Sequence, residues 1–170
     1  MSDIAVSVAC AADRQALENL MQLYIHDFSE QWSGTSRGEL GSDGRFQNHD
    51  LDAYWREADH IPLLLSVERR LAGFALLNAS SHSDLPVDRN MAEFFVARKH
   101  RRSGVGTAAA HTIFGRYPGM WEAAVARRNV GALPFWRSAI ARCPVVDEVQ
   151  ELDLATGKWN GPVIRFRICA

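Results

Sequence analysis

The run from Ala92 to Phe114, AEFFVARKHRRSGVGTAAAHTIF, restricts the fold more than any other part of the chain. Glu93 to Val96 holds two aromatic residues and a β-branched one, and it reads as a short strand. A basic loop follows, Arg98 to Ser103, carrying Arg98, Lys99, His100, Arg101 and Arg102. The chain then turns at Gly104 to Gly106 into an alanine-rich helix. A strand that feeds a helix through cations points to an anion site. The first N–H groups of a helix lack internal partners and lie at the positive end of its dipole. Glycine at 104 and 106 lets a phosphate approach the backbone. Ser103 can cap the helix or donate a hydroxyl.

The remaining chain is built of short elements. Ile4 to Ala9 alternates as a strand. Ala12 to Phe28 has apolar residues at helical spacing, with Asp13 as its N-cap. Glu30 to Asn48 is polar, rich in glycine and without periodicity, and reads as a mobile loop. Leu51 to Ala58 is a short second helix. Ile61 to Val67 and Leu71 to Asn78 form a hairpin through Glu68-Arg69-Arg70. Both are nearly all apolar, as in a sheet covered on both faces. Met120 to Ala126 is a further strand and Asn129 to Ile140 a further helix. Val145 to Leu154 and Pro162 to Ile168 close the chain around Thr156-Gly157-Lys158. The order is β α α β β β α β α β β. This predicts an α/β (α+β) fold: one domain over 1–170, with a mixed, mostly antiparallel sheet of about seven strands flanked by helices.

Composition narrows the partners. With 170 residues the chain can bury a sizeable core. Its net charge is −1, so no overall field favours nucleic acid or an anionic membrane. No apolar run approaches the roughly 20 residues of a membrane helix, and the N-terminus lacks a secretory pattern. Cys10, Cys143 and Cys169 are far apart and odd in number, which predicts free, mostly buried thiols in a reducing, cytoplasmic setting. No histidine pair has metal-site spacing on a helix, so no metal is expected.

Two readings compete for the glycine turn. Gly104-x-Gly106-x-x-Ala109 satisfies a dinucleotide fingerprint. In a dinucleotide fold, however, the first glycine almost touches the strand, whereas here Ala97 to Ser103 intervene. The better match is Arg101-Arg102-Ser103-Gly104-Val105-Gly106. It resembles the R/Q-x-x-G-x-G/A signature of the GNAT family, the Gcn5-related N-acetyltransferases. A second segment, Asn129-Val-Gly-Ala132-Leu-Pro-Phe135-Trp136, resembles that family's N-x-x-A-x-x-F-Y. The predicted element order agrees with the GNAT fold as well.

The resemblance implies a site. Arg101, Arg102, Ser103, Gly104, Val105, Gly106 and Thr107 would hold the pyrophosphate of acetyl-CoA. The backbone of Phe94, Phe95 and Val96 would take the pantetheine arm as an added strand, with Asn129 and Trp136 completing the cofactor contacts. Asn129 is also placed to cap its helix. Trp136 stands where many members carry a tyrosine that reprotonates the thiolate, and an indole N–H has no such acidity.

The implied reaction is attack of an amine on the thioester. The amine must lose a proton, and Glu93 is the first candidate base, Glu122 the second. Tyr24, Asp27, Phe28, Glu30, Trp32, Tyr54 and Trp55 would shape the acceptor pocket. A small-molecule amine is the expected acceptor; a homodimer is left open. A protein lysine or N-terminus as acceptor, and a non-catalytic acyl-CoA sensor, are the alternatives.

Overall fold

The computed structural model describes residues 3–47 and 51–170. Seven strands form one sheet: β1 Ile4–Val8, β2 Ile61–Val67, β3 Arg70–Asn78, β4 Arg89–Val96, β5 Gly119–Ala124, β6 Val146–Ala155 and β7 Asn160–Ile168. Their order across the sheet is β1-β2-β3-β4-β5-β7-β6. Every neighbouring pair is antiparallel except β4 with β5. The helices are α1 Arg14–Ser29, α2 Ala53–Arg56, α3 Val105–Arg116 and α4 Ala132–Ala141. The predicted mixed sheet and its element order are therefore observed. Among the described residues no helix is long and apolar enough to cross a membrane.

Each face of the sheet is covered by its own apolar cluster. On one, α1 buries Leu17, Met21 and Ile25, which recur every four residues along the helix, against Leu64, Phe74, Leu76 and Phe95. On the other, α3 buries Val105, Ala109, Ala110, Ile113 and Phe114 beside Trp121 and Phe166. The alanines let α3 lie close to the sheet. The β2–β3 hairpin turns through Glu68 and Arg69, both at positive φ (49° and 65°), as a two-residue turn of this hand requires.

Several local expectations are corrected. Asp13 stands at the N-cap position of α1 as expected, but its side chain does not cap that helix; its carboxylate accepts the Cys10 N–H and closes a 3₁₀ turn over Ala11–Asp13. The aperiodic segment read as a mobile loop carries a 3₁₀ turn, Glu30–Trp32, and a bridge between Leu40 and Phe46. It is pinned to α1, because the Gln22 side chain accepts the Phe46 N–H at 2.9 Å and donates to the Phe46 carbonyl at 3.1 Å. Asn48, its last residue, lies outside the described residues. The three cysteines are free, but only Cys143 is buried; Cys10 and Cys169 are exposed near the chain ends.

Candidate active site

The sheet splits between β4 and β5. The two strands are paired only at Arg89 with Trp121 and at Asn90 with Glu122, and beyond Asn90 they part. On the other side of β4, the Ala97 N–H donates to the Ala72 carbonyl at 2.8 Å. The Phe95 carbonyl lies against Gly73, where a Cβ would sit 2.0 Å from that oxygen. Only glycine admits this approach. Peptide groups alternate along a strand, so Phe94 and Val96 turn theirs into the gap. The Val96 carbonyl is taken by Nε of Arg101 at 2.6 Å. The Phe94 peptide group and the Val96 N–H have no strand beside them.

The N-terminus of α3 opens onto the same gap. Arg102 and Gly104 both take positive φ, 59° and 84°, and this left-handed pair swings the chain from the basic loop into the helix. No side chain caps α3, which leaves its first amides unpartnered. Ser103, read as either a cap or a hydroxyl donor, does not cap it; its hydroxyl donates back to the His100 carbonyl at 2.8 Å. The two glycines serve different ends. Gly104 is needed for its backbone angle and has open space where a side chain would go. At Gly106 a Cβ would meet the Phe135 ring at 3.2 Å, so this glycine makes room for an aromatic ring.

The cations of the loop are unequally free. Arg98 and Arg101 both pair with Asp27 of α1. Burial raises the Asp27 pKa, but the hydrogen bonds from Arg101 and Arg98 outweigh it and hold the carboxyl below its usual value. Arg102 faces the gap and has no ion pair among the described residues.

Strand edge and helix N-terminus together line a cleft of about 570 Å³. Its walls are Tyr24, Asp27, Phe28, Glu30 and Gln31 on the α1 side and Asn129, Gly131, Ala132 and Phe135 on the α4 side, with Phe94, Phe95 and Val96 between. At its floor stand Arg101, Arg102, Gly104, Gly106 and Thr107. Asn129 reaches the cleft without capping α4: that helix opens at Ala132 after Gly131, and the Asn129 carbonyl accepts the Ala132 N–H in a preceding turn. Trp32, Tyr54 and Trp55, expected in the acceptor pocket, line other hollows. Trp136 does not line the cleft either. It is buried in the core with its ring 5.1 Å from that of Phe94.

The two candidate carboxylates have opposite surroundings. Glu93 shares the α1 side of β4 with Phe95, two residues on, as strand alternation requires; the β3–β4 register slips just before it, at Leu76/Leu77, and leaves Ala92 unpaired. Its carboxylate accepts the Tyr24 hydroxyl. Burial pushes its pKa from the ordinary 4.5 up to about 7, although the Tyr24 bond pulls the other way. Tyr24 itself is pushed well above its usual value by burial and by the nearby Glu93 charge. Glu93 does not line the cleft; Tyr24 does.

Glu122 is wholly enclosed. It accepts from the Ser81 hydroxyl at 3.0 Å, the His82 N–H at 2.7 Å, the Ser83 hydroxyl and the Arg165 guanidinium. Burial raises its pKa, but the Ser83 hydroxyl and the other donors more than offset this, and the net shift is downward. A carboxylate enclosed among four donors is not open to a substrate. It ties the β3–β4 connection to β5 and β7 just where β4 and β5 last touch.

The sequence model of the Acetyltransferase (GNAT) family matches residues 17–139, which include both walls of the cleft and its floor. The chain belongs to the GNAT acetyltransferase family. No curated protein matches it by sequence. Among solved structures, an acetyltransferase from Thermus thermophilus superposes with a TM-score of 0.66 at 13% identity, covering 98% of this chain and 97% of that one. PH1933 from Pyrococcus horikoshii OT3 gives 0.61 at 18% identity over 99% and 100%. A GNAT-family acetyltransferase from Streptococcus pneumoniae gives 0.58 at 14% over 98% and 100%. At these identities the likeness is one of fold.

Sequence reading missed three features of this GNAT cleft. Gln31 and Gly131 carry no local signal, since a glutamine and a glycine in connecting segments are ordinary. Phe135 figures in the sequence only as part of the N-x-x-A-x-x-F-Y match, and the missing Cβ of Gly106 makes the room for its ring at the cleft. One surface group, Glu57, Asp59 and His60, brings oxygen and nitrogen atoms within 4.8 Å of one another. It lies away from the cleft, and His60 Nδ1 is already 2.8 Å from Asp59.

Proposed function

We propose that the protein transfers an acetyl group from acetyl-CoA to the primary amine of a small molecule, in the cytoplasm. The observation that carries this is the meeting, in one cleft, of an unpaired strand edge and an uncapped helix N-terminus. The first suits an extended amide chain, the second a pyrophosphate. Amides from Gly104 to Thr107 would hold the phosphates, with Arg102 beside them. The Phe94 peptide group and the Val96 N–H would align the pantetheine, and a β4 N–H pointing into the gap would stabilise the developing oxyanion.

Glu93 is the proton acceptor in this scheme. A carboxylate titrating near 7 is matched to general-base work at neutral pH. A compact acceptor is favoured by a link between the two walls: Arg128, next to Asn129, donates to the carbonyl of Gln31 at 3.1 Å. Glu30, exposed beside Tyr24 and Phe28, suits an amine on an apolar body.

The test is turnover of acetyl-CoA with a panel of amines, read as free thiol, alongside calorimetric binding of CoA. Thiol release that depends on an amine supports the reading. Binding with no release would leave an acyl-CoA sensor, and release with peptides alone would make the acceptor a protein.

A further inference from the structure

Glu93 is one hydrogen bond away from the cleft. The group between it and the cleft is Tyr24. Its hydroxyl donates to the Glu93 carboxylate, and the residue lines the cleft wall. The ring is held on three sides, by Phe28 at 4.9 Å, Phe74 at 5.8 Å and Phe95 at 6.1 Å between centroids, so the phenol is fixed in direction. The other acidic groups at the cleft are Asp27, bound to two arginines, and the exposed Glu30. Of the groups facing Glu93, Tyr54 of α2 also senses its charge, but Tyr54 does not line the cleft.

We propose that Tyr24 is a catalytic residue that relays the acceptor's proton to Glu93. This rests on the acetyl-transfer reading above. As the amine nitrogen bonds to the thioester carbon, its N–H proton passes to the Tyr24 oxygen. The Tyr24 proton passes in the same motion to a Glu93 carboxylate oxygen. The C–S bond then breaks, and the electron pair leaves on sulfur. Return of the proton from Glu93 through Tyr24 to the thiolate restores the pair. The sum is one proton moved from nitrogen to sulfur, with no other acid or base consumed. The return step also fills a gap at α4, where Trp136 is in the core and Phe135 at the cleft has no hydroxyl.

The relay is tested with Tyr24→Phe, Glu93→Gln and the double variant. The assays are amine acetylation and acetyl-CoA hydrolysis, in which water replaces the amine and no acceptor need be known. Tyr24→Phe should lower kcat about 100-fold and leave CoA affinity and the circular dichroism spectrum unchanged. The double variant should be no slower than the slower single one. The wild type should show a curved proton inventory in mixed H₂O and D₂O, and Tyr24→Phe a linear one. Its residual rate should rise with pH at a higher midpoint than the wild type, since the lost hydrogen bond favoured ionised Glu93. A Tyr24→Phe rate within about twofold of wild type, effects that multiply in the double variant, or an unchanged proton inventory would each overturn the relay. Should Tyr24→Phe fail to fold, 3-fluorotyrosine at position 24 keeps the ring and makes the phenol more acidic; an unmoved rate and pH profile would then refute it. A wild type that binds CoA but releases no thiol in either assay sinks the acetyl-transfer reading and the relay with it, whereas an active wild type with an indifferent Tyr24→Phe sinks the relay alone.

Discussion

Replacing Glu93 with glutamine should make the protein more stable at alkaline pH while slowing it. Burial lifts the Glu93 pKa from 4.5 to about 7, so the folded chain holds this proton more tightly than the unfolded one. Stability from the protonated carboxyl is fully present below about 4.5 and is lost as pH rises through about 7. Each tenfold change in proton affinity is about 1.4 kcal/mol, so the full displacement is worth on the order of 3 kcal/mol by pH 8 to 9. Glutamine has nearly the same shape, can still accept the Tyr24 hydroxyl, and has no charge to bury. The difference in unfolding free energy between variant and wild type should therefore grow by roughly that amount from pH 4.5 to 8.5. Urea denaturation followed by tryptophan fluorescence at a series of pH values measures it. Parallel stability curves, or a wild type that gains on the variant as pH rises, would refute the reasoning. Turnover should fall on the order of 100-fold or more in the same variant.

Three further outcomes follow from contacts elsewhere. Arg165→Met leaves the enclosed Glu122 without its cation and should cost about 3–5 kcal/mol by chemical denaturation; a loss under about 1 kcal/mol would show the pair to be dispensable. Gly73→Ala places a methyl where the Phe95 carbonyl now lies, 2.0 Å away. It should destabilise by about 1–3 kcal/mol and weaken CoA binding in calorimetry, because β4 must shift into the gap; neither effect appearing would mean that the strand yields freely. Trp136→Tyr restores the residue common in the family yet should not raise kcat, since its hydroxyl would be placed in the core; a tenfold gain would contradict the placement of Trp136.

What was legible in the sequence was local. The strand, basic loop and glycine turn are contiguous, and their physics is that of one helix N-terminus, so residues 93–107 were read nearly as they stand. The pairing of β4 with its neighbours could not be read this way. Glu93 and Glu122 look alike in sequence, each a carboxylate on an apolar strand. What separates them is Ser81, Ser83 and Arg165, the last 43 residues from Glu122. Gly106 was assigned to phosphate access when the nearer demand is the Phe135 ring, which comes from α4. Asn129 invited a cap reading because a polar residue before a helical pattern usually is one, but the turn through Gly131 delays the helix. The pinning of residues 30–47 depends on Gln22, whose polarity on an amphipathic helix carries no hint of a partner.

The parted strands leave the sheet unfinished, and a ligand lying along β4 would finish it. A protein that borrows part of its backbone pairing from a small molecule is firmer when loaded than when empty, by an amount that grows with ligand concentration. Its melting temperature would then report the supply of acyl donor, and its resistance to proteolysis would rise and fall with the cell's acyl-CoA pool.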